Sequence, residues 1–301
     1  MPTTSGVDFD PEKDIPSLQD RIIFVTGGTA GLGRASVEAL ARHEPTHIYF
    51  TGRNTQAGES LIADVKKINP AVGMTFVEMD MTSLSSVKEA CDQFSYRRLD
   101  ILMSKMVEIR FAVNHLAHAM IIRRLLPAMV KTAEMPDSDV RLILLTSIGW
   151  CMHPKNGIEF DTLRSKQENL GIPGFSFHYA QSKLANILYA AEIARQYPSI
   201  KAVSVHPGVV ATDLVNNLPN MRKVLVYAAN WLMGVGVVDG KKGRLSQLWA
   251  AAGASRNELV SGAYYTPVGI LSNDKLDNFA KSEELAHELW LYTENALSKV
   301  V

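Results

Sequence analysis

Tyr179 and Lys183 stand four residues apart in FHYAQSKLANILYAAEIARQY, a segment with a helical pattern of apolar residues. That spacing puts both side chains on the same face of a helix. A phenol is a poor acid at neutral pH, and a neighbouring ammonium is expected to lower the pKa of the tyrosine toward the working range. The pair could therefore pass a proton to or from a substrate. On an exposed helix surface the same two residues would have no chemical role, so the surroundings of the pair decide whether it forms a site.

Two predicted strand ends supply partners for this pair. Ser147 follows the apolar run VRLILLT, and its hydroxyl could donate a hydrogen bond to a substrate carbonyl. Pro207 and Gly208 follow the run IKAVSVH, where a flat cofactor ring could approach the backbone. Together these positions predict a site where a proton and a cofactor act on one substrate group.

A glycine-rich turn, TGGTAGLGRA, follows the first predicted strand and places Gly27, Gly31 and Gly33 before a helix. Glycines there let the backbone approach a phosphate, and the helix N-terminus offers free N–H groups to the anion. The turn is not a P-loop, because no Gly-Lys-Ser/Thr follows it. A tight turn without any ligand would use the same glycines, but the strand–turn–helix context favours a dinucleotide site.

The end of the second predicted strand indicates which dinucleotide binds. An NAD site usually has an acidic residue there for the ribose 2′-hydroxyl, whereas this chain reads TGRN over 51–54. Arg53, with Arg34 just after the glycine turn, could pair with a 2′-phosphate, which favours NADP(H). Either arginine could instead be a solvated surface charge. Asp80, at the end of the third predicted strand, could accept a hydrogen bond from adenine or simply form a turn.

The elements that must position these residues alternate along the chain. Continuous apolar runs predict strands covered on both faces, and they occupy 22–26, 47–51, 74–79, 99–103, 140–146 and 200–206. Helical patterns occupy 33–43, 56–68, 83–95 (with Ser83 as N-cap), 106–132 and 176–197. The alternation predicts an α/β fold with a doubly wound parallel sheet, Rossmann-like, in a single domain over 21–301. Residues 1–20 are predicted to form a polar N-terminal extension.

Composition narrows the class of protein. The chain has 31 basic and 31 acidic residues, so its charge gives no reason to expect nucleic acid or an anionic membrane surface as a partner. Cys91 and Cys151 cannot form a disulfide framework, which favours a reducing compartment and hence the cytoplasm. The longest apolar stretch, 224–238, contains Asn230 and is too short for a comfortable transmembrane helix. A soluble protein without a transmembrane segment is predicted.

In combination, these motifs resemble the short-chain dehydrogenase/reductase family over about residues 20–270. TGGTAGLG at 26–33 matches the family's T-G-x-x-x-G-x-G, HYAQSK contains its Y-x-x-x-K, and HPGVVATD contains its P-G followed by threonine. NHLAH, YAQSKLAN and LVSGAYYTPVG are typical of its retinol-dehydrogenase-like branch.

The resemblance implies a role for each matching residue. Tyr179 would be the proton donor or acceptor, Lys183 would bind the nicotinamide ribose and lower the tyrosine pKa, and Ser147 would orient the substrate oxygen. Asn114 would hold a water in the proton relay, and Thr212 would contact the nicotinamide carboxamide. The implied reaction is reversible hydride transfer between NADP(H) and a carbonyl/alcohol pair on a fairly apolar small molecule. The predicted cofactor-binding residues are Gly27, Thr29, Gly31, Leu32, Gly33, Arg34, Arg53, Asp80, Met81, Asn114, Tyr179, Lys183, Pro207, Gly208, Val210 and Thr212.

One departure from the family pattern lies after the fourth predicted strand. That strand normally ends in Asn-Asn-Ala-Gly before a loop, but here LDILM at 99–103 and EIRFAVNHLAH at 108–118 are in register and the motif between them is missing. Roughly a dozen residues are absent, more than an ordinary loop-length variation. Either the chain is a catalytically impaired or silent variant with weak cofactor binding, or the local backbone compensates.

Other candidate functions are weaker. The histidines near the site, His153, His178 and His206, lack metal-ligand spacing, so no metal site is predicted. A sugar-nucleotide epimerase shares the Tyr–Lys logic, but the glycine spacing and the lack of a substantial C-terminal substrate domain argue against it.

The substrate pocket and the oligomeric state are less constrained. A substrate-facing segment is predicted near 207–240, and the residues that could line an apolar pocket, or simply pack in the core, are Trp150, Met152, Tyr227, Trp231 and Met233. The helices predicted over 106–132 and 176–197 are long enough for a homodimer face, and burial against the sheet explains their apolar positions equally well.

Overall fold

The centre of the molecule is a sheet whose strands are almost all parallel. The computed structural model describes residues 6–104, 111–163, 171–172, 175–210, 237–238 and 243–300. Within these residues the sheet has eight strands, which in chain order are β1 (Ile22–Val25), β2 (His47–Gly52), β3 (Gly73–Glu78), β4 (Ile101–Ser104), β5 (Arg141–Leu145), β6 (Lys201–Val205), β7 (Tyr264–Thr266) and β8 (Ile270–Leu271).

The strands lie side by side in the order β8-β7-β6-β5-β4-β1-β2-β3. Every neighbouring pair is parallel except β7 with β8. From β1 the sheet grows in one direction through β2 and β3, and in the other through β4, β5 and β6. This reversal puts a crevice at the carboxyl ends of β1 and β4, where ligands of such sheets bind. The predicted Rossmann-like, doubly wound sheet in a single domain is confirmed.

Helices cover both faces of the sheet. Among the described residues, the α-helices are α1 (Pro11–Asp14), α2 (Gly31–Ala41), α3 (Thr55–Ile68), α4 (Leu84–Asp92), α5 (Ala117–Ala133), α6 (Phe177–Gln196), α7 (Leu245–Leu248) and α8 (Glu283–Leu297). A π-helical turn, Ala112–Leu116, leads into α5, and a second, Trp249–Gly253, follows α7. The 3₁₀ turns are Ile148–Met152, Phe160–Thr162 and Asn273–Lys275. No helix in these described ranges is both long and apolar enough to cross a membrane.

The core lies on both faces of the sheet, as the continuous apolar runs predict. Along β1, Ile22 and Phe24 belong to the cluster shared with α4, α5, α6 and α8. Ile23 and Val25 belong to the cluster on the opposite face, which includes residues of α2, α3 and α7. Because successive side chains of a strand point to opposite faces, burial of both faces removes the alternation from the sequence.

Most predicted elements appear with boundaries shifted by one to three residues, and Ser83 is the N-cap of α4 as predicted. The prediction omitted β7, β8 and α8. The signal for α8 was present, because its buried residues Leu285, Leu289, Thr293 and Leu297 recur every four positions. Ser282 caps this helix and accepts a hydrogen bond from the Leu285 N–H at 3.1 Å.

The N-terminal segment packs against the domain. Phe9, Ile15 and Leu18 are buried in the same cluster as Ile23 and Val25. A side chain at Gly253 would place its Cβ 2.3 Å from the Phe9 ring, so the ring lies directly against the backbone there. The extension predicted over 1–20 is therefore, in its described residues 6–20, part of the folded domain. The segment is polar in overall composition, but these three apolar side chains attach it to the core.

Candidate active site

Ser147 and Tyr179 meet at the carboxyl end of β5. Ser147 begins the 3₁₀ turn Ile148–Met152, and its Oγ accepts a hydrogen bond from the Gly149 N–H at 3.3 Å. The Ser147 side chain lies close enough to Tyr179 for hydrogen bonding to the phenol, which opposes the rise that burial causes in the phenol's pKa. A side chain at Gly149 would place its Cβ 3.2 Å from Cε1 of the Tyr179 ring, so glycine lets the ring lie against the turn. Sequence reasoning did not single out Gly149.

Lys183 lies beneath the same tyrosine. Its Nζ is 5.1 Å from the centroid of the Tyr179 ring, and the residue is only 2% exposed. Two hydrogen bonds fasten this part of α6 to the end of β5: Thr146 Oγ1 donates to the Lys183 carbonyl at 2.8 Å, and Asn186 Nδ2 donates to the Leu145 carbonyl at 2.9 Å. Burial lowers the pKa of Lys183 to about 7, because the charged ammonium loses its hydration.

The pKa of Tyr179 moves opposite to the expected direction. Burial raises it, and the hydrogen bond with Ser147 opposes that rise only in part. The prediction that Lys183 would lower it is wrong for this arrangement. Lys183 lies over the face of the ring, and it loses much of its charge near neutral pH, so the cost of burying a phenolate dominates.

Asn114 lies on the π-helical turn that leads into α5, and it is fully buried. Its Nδ2 donates a hydrogen bond to Ser182 Oγ at 2.9 Å, and Ser182 Oγ donates to the Tyr179 carbonyl at 2.7 Å. Single π-helical turns inside α-helices occur often at functional sites. Asn114 therefore packs onto α6, and two successive hydrogen bonds through Ser182 connect it to the backbone of Tyr179.

The strand before the junction where the family motif was expected, β4, lies in the sheet between β1 and β5. Met103 pairs with Val25 and Ser104 pairs with Leu144, so β4 extends one residue beyond its predicted end. The Thr26 N–H donates to the Met103 carbonyl at 3.0 Å. Most of the junction itself, residues 105–110, lies outside the described residues.

The glycine turn has the backbone geometry of an anion cradle. Gly27 and Gly31 have positive φ angles of 59° and 50°, which favour glycine. A side chain at Gly33 would place its Cβ 2.1 Å from the Gly27 carbonyl oxygen, so only glycine fits. The N-cap residue of α2 is Ala30, whose side chain makes no capping hydrogen bond, and Leu32 in the first turn is buried. A diphosphate fits this arrangement, because the first backbone N–H groups of a helix have no partner within the helix and favour an anion.

The second strand closes this cradle from the side. The Gly27 N–H donates to Thr51 Oγ1 at 3.3 Å, and the Gly28 N–H donates to the Thr51 carbonyl at 2.8 Å. Thr29 packs on Gly52, where an added Cβ would lie 2.4 Å from Thr29 Oγ1.

The two predicted phosphate-binding arginines differ in their surroundings. Arg34 donates to Glu38 at 2.9 Å and to Asp64 at 2.7 Å, so two carboxylates already engage its guanidinium. Arg53 is exposed, and within the described residues no hydrogen bond or ion pair engages it. Of the two, Arg53 is the one whose charge is available to a ligand.

Asp80 forms a turn, as the plainer interpretation of it predicts. Its Oδ1 accepts from the Thr82 N–H at 2.9 Å and from Thr82 Oγ1 at 2.8 Å. These hydrogen bonds, with a smaller contribution from the charge of Arg53, lower the pKa of Asp80. Met81 is half-buried and packs against the core. The turn uses Oδ1 alone, so an adenine contact with the other carboxylate oxygen is compatible with it.

The segment after β6 is described only at its start. Gly208 has a positive φ of 90° and is buried, and Pro207 before it is half-buried. For Val210 the structure describes the backbone, whose short strand pairs with Val237–Val238. Thr212 and the pocket candidates Tyr227, Trp231 and Met233 lie outside the described residues, as does most of the substrate-facing segment predicted near 207–240.

The three histidines near the site differ in their surroundings. His153 contacts Asp277 at 2.8 Å. Burial, with the charge of Lys183, lowers the pKa of His206 to about 4. His178 is half-buried at the start of α6. Across the described part of the chain, no group of three or more His, Cys, Asp or Glu side chains could hold a metal ion.

Comparison with known proteins identifies the family. The sequence model of the short chain dehydrogenases matches residues 21–134. An oxidoreductase of Penicillium decumbens is 30% identical over 312 residues, covering 95% of this chain and 84% of that protein. The chain belongs to the short-chain dehydrogenase/reductase family. Human retinol dehydrogenase 14 is 27% identical over 304 residues, covering 91% of this chain and 85% of that protein.

Solved structures with the same fold were also found. An uncharacterised protein of Mycobacterium paratuberculosis matches with a TM-score of 0.69 at 23% identity, covering 97% of both chains. The NADPH-bound carbonyl reductase from chicken fatty liver matches with a TM-score of 0.61 at 20% identity, covering 89% of this chain and 99% of that one. As a short-chain dehydrogenase/reductase, the chain is a member of an oxidoreductase family.

In this family member, sequence reasoning missed several residues that support the site. Thr146 and Ser182 hold α6, while His115 and His118 hold the turn of Asn114 by hydrogen bonds to Thr293 and Ser104. Thr146 sits at a strand end beside Ser147, which could have drawn attention to it. The partners of the two histidines come from distant parts of the chain, and no local pattern indicates them.

Proposed function

We propose that this protein transfers a hydride between NADP(H) and the carbonyl/alcohol pair of a fairly apolar small molecule. The observation that carries the proposal is that the Ser147 turn and Lys183 both lie against Tyr179. A Cβ at Gly149 would lie 3.2 Å from the tyrosine ring and 3.6 Å from Ser147 Oγ, and Lys183 Nζ is 5.1 Å from the ring centroid. A hydroxyl that can orient a carbonyl oxygen stands next to a phenol that can protonate it. Both lie at the carboxyl edge of the sheet that also carries the glycine turn.

The cofactor assignment rests on the glycine turn and on Arg53. The glycine turn would hold the diphosphate, and the exposed guanidinium of Arg53 would pair with the 2′-phosphate that distinguishes NADPH from NADH. Asp80 would accept from the adenine amino group. When bound, the nicotinamide supplies the hydride. The chicken carbonyl reductase, whose structure holds NADPH, has the same fold.

Tyr179 supplies the proton that the product alcohol requires. Its raised pKa keeps the phenol protonated at neutral pH, which suits a proton donor in the reductive direction. Ser147 would orient the substrate oxygen toward the phenol. After transfer, Lys183 in its protonated form would stabilise the phenolate, and Asn114 would hold the water that returns a proton. Thr212 would contact the nicotinamide carboxamide.

The apolar substrate class rests on the residues around Ser147. Trp150 is buried with its ring edge-on to Tyr264 at 6.3 Å, and Met152 is half-buried beside it. Human retinol dehydrogenase 14, named for an apolar alcohol, is among the relatives.

We also propose a cytoplasmic location, because both cysteines are free. A homodimer through α5 and α6 stays a prediction, and α8 occupies part of that surface.

A matched pair of tyrosine variants tests the proposal. Tyr179→Phe should lower kcat for NADPH-dependent carbonyl reduction by about 10²–10⁴-fold, the usual contribution of a positioned acid. Tyr189→Phe is the control on the same helix, because the Tyr189 hydroxyl is buried and has no hydrogen-bond partner in the described part of the chain. Its kcat should stay within about twofold of the parent. Equal activities of the two variants would contradict the assignment.

The second candidate is an impaired or silent member of the family. The missing Asn-Asn-Ala-Gly segment favours it, since that segment would normally line the adenosine ribose. Calorimetric titration with NADPH separates the two candidates. Measurable binding together with turnover supports the enzyme, whereas no heat of binding for a folded protein supports the silent alternative.

A further inference from the structure

Among the described residues, three buried hydrogen bonds hold the turn of Asn114 and the start of α5, and each leads to a different element. Asn114 Nδ2 donates to Ser182 on α6 at 2.9 Å. The His115 ring bonds through Nε2 to Thr293 Oγ1 on α8, over 2.7 Å. The His118 ring bonds through Nδ1 to Ser104 Oγ at the end of β4. The turn is thus tied to the sheet and to two helices.

Both histidine contacts are fully inside the protein. His115, His118, Thr293 and Ser104 are all buried. Burial lowers the pKa of both histidines to about 3, so their rings are neutral at physiological pH. A neutral imidazole has one donor and one acceptor nitrogen. Removing its partner would leave a buried polar atom without a hydrogen bond, which is costly.

The surrounding packing fixes the direction of the His115 ring. It lies edge-on to Tyr189, with centroids 5.0 Å apart, and 5.0 Å from the Phe111 ring. Tyr189 in turn stacks on Trp290 of α8 at 5.3 Å. His115 is therefore enclosed between α6 and α8, and it adjoins Asn114 in the chain.

We infer that Thr293 and Ser104 are positioning residues, which place Asn114 through their hydrogen bonds to His115 and His118. This inference rests on the proposed role of Asn114 in proton return. The bond between Ser104 and His118 fastens the end of β4 directly to the start of α5, the helix that continues from the turn of Asn114. Thr293 does the same from α8, an element that carries none of the proposed cofactor-binding residues.

Thr293 gives the cleaner kinetic test, because it lies far along the chain from the cofactor residues. Thr293→Val keeps the shape and removes the hydroxyl, so Asn114 should shift and kcat should fall by about tenfold or more. The Kd and KM for NADPH should stay within about twofold, and Thr293→Ser should restore kcat. Glu294→Gln is the matched control. Glu294 is the next residue of α8 after Thr293, and the substitution removes its ion pair with Arg123 but leaves the bond to His115 in place. Unchanged kcat in Thr293→Val, or an equal loss in Glu294→Gln, would overturn the inference.

A spectroscopic readout in the protein without NADPH separates this inference from the proposed function. The side-chain amide signal of Asn114, assigned by its loss in Asn114→Ala, should shift or broaden in Thr293→Val. It should keep its position in Thr293→Ser and Glu294→Gln. Ser104→Ala provides the same readout from the β4 side if Thr293→Val does not fold. An unshifted amide signal in a folded variant would refute the positioning role, whether or not the protein oxidises NADPH.

Discussion

The site has two halves that are built in different ways. The half around β1, β2 and β3 presents backbone and exposed charge: Gly27 and Gly31 with positive φ angles, and Arg53 at the surface. The half around β5, α5 and α6 presents buried polar side chains, of which Lys183 and Asn114 are the clearest cases. In the first half the absence of side chains makes room for a ligand. In the second half burial sets the ionisation of the side chains.

The partners in the two halves also differ in their distance along the chain. The close approach in the glycine turn is between Gly33 and Gly27, within one turn. Asn114 and Ser182 are separated by 68 positions, and His115 and Thr293 by 178. A local change should therefore disable the first half cleanly, whereas the second half depends on the whole fold.

The largest expected effect comes from placing the same small change in each half. Gly33→Ala puts a Cβ 2.1 Å from the Gly27 carbonyl oxygen, so the turn must move. We expect the Kd for NADPH to rise on the order of a hundredfold. Gly149→Ala puts a Cβ 3.2 Å from the Tyr179 ring, which should lower kcat by about tenfold with little change in Kd. Calorimetry and steady-state kinetics on both variants measure this contrast, and losses of the same kind in both would erase the distinction between the halves.

The second prediction concerns the buried charge of Lys183. Its pKa is about 7 in the folded protein and about 10.4 in an unfolded chain, so between these pH values the unfolded chain binds more protons. Stability then rises with pH in that window, and the penalty is fully present only below about pH 7. From about pH 7 to about pH 9 this residue should add about 2 kcal/mol to the free energy of unfolding.

Lys183→Met should remove that rise. Urea unfolding of the two proteins across this pH range isolates the contribution of the lysine, because all other titrating groups are shared. If the free energy of unfolding depended on pH in the same way for both proteins, the folded protein would keep Lys183 charged at an ordinary pKa.

The smallest expected effect is a change in cofactor preference, and it concerns the surface of the half around β1, β2 and β3. Arg53→Asp should shift the preference between NADPH and NADH by about tenfold toward NADH, because a carboxylate repels the 2′-phosphate. Arg34→Gln should change the preference by less than about threefold, because Glu38 and Asp64 already neutralise Arg34. Separate Kd values for both cofactors test this, and a larger effect from Arg34 would reassign the phosphate contact.

The sequence was sufficient for features that depend on short-range patterns. The glycine turn, the strand ends that carry Ser147 and Gly208, and the helical spacing of Tyr179 and Lys183 all follow from local periodicity. The eight-stranded sheet was predicted in type, but the pattern missed β7 and β8 because strands of two or three residues give too short a signal.

The rest depends on burial and on distant contacts. The direction of the pKa shift of Tyr179 could not be predicted, because it follows from how deeply the phenol is buried. The partners of His115 and of Arg34 come from other elements, and only the packed structure brings them within reach. The spacing of Leu285 and Leu289 could have indicated α8 as a helix, but not its docking against α6.

The contact between α8 and the turn of Asn114 also limits when this part of the protein can fold during its synthesis. A ribosome adds roughly 5–20 residues per second, so the 178 positions between His115 and Thr293 correspond to a delay on the order of 10–35 s. During that interval the emerging chain contains His115 but not yet Thr293, so the buried hydrogen bond between them cannot form. The turn of Asn114 therefore cannot take up its full set of contacts until α8 has been synthesised, although His115 is translated 178 positions before Thr293.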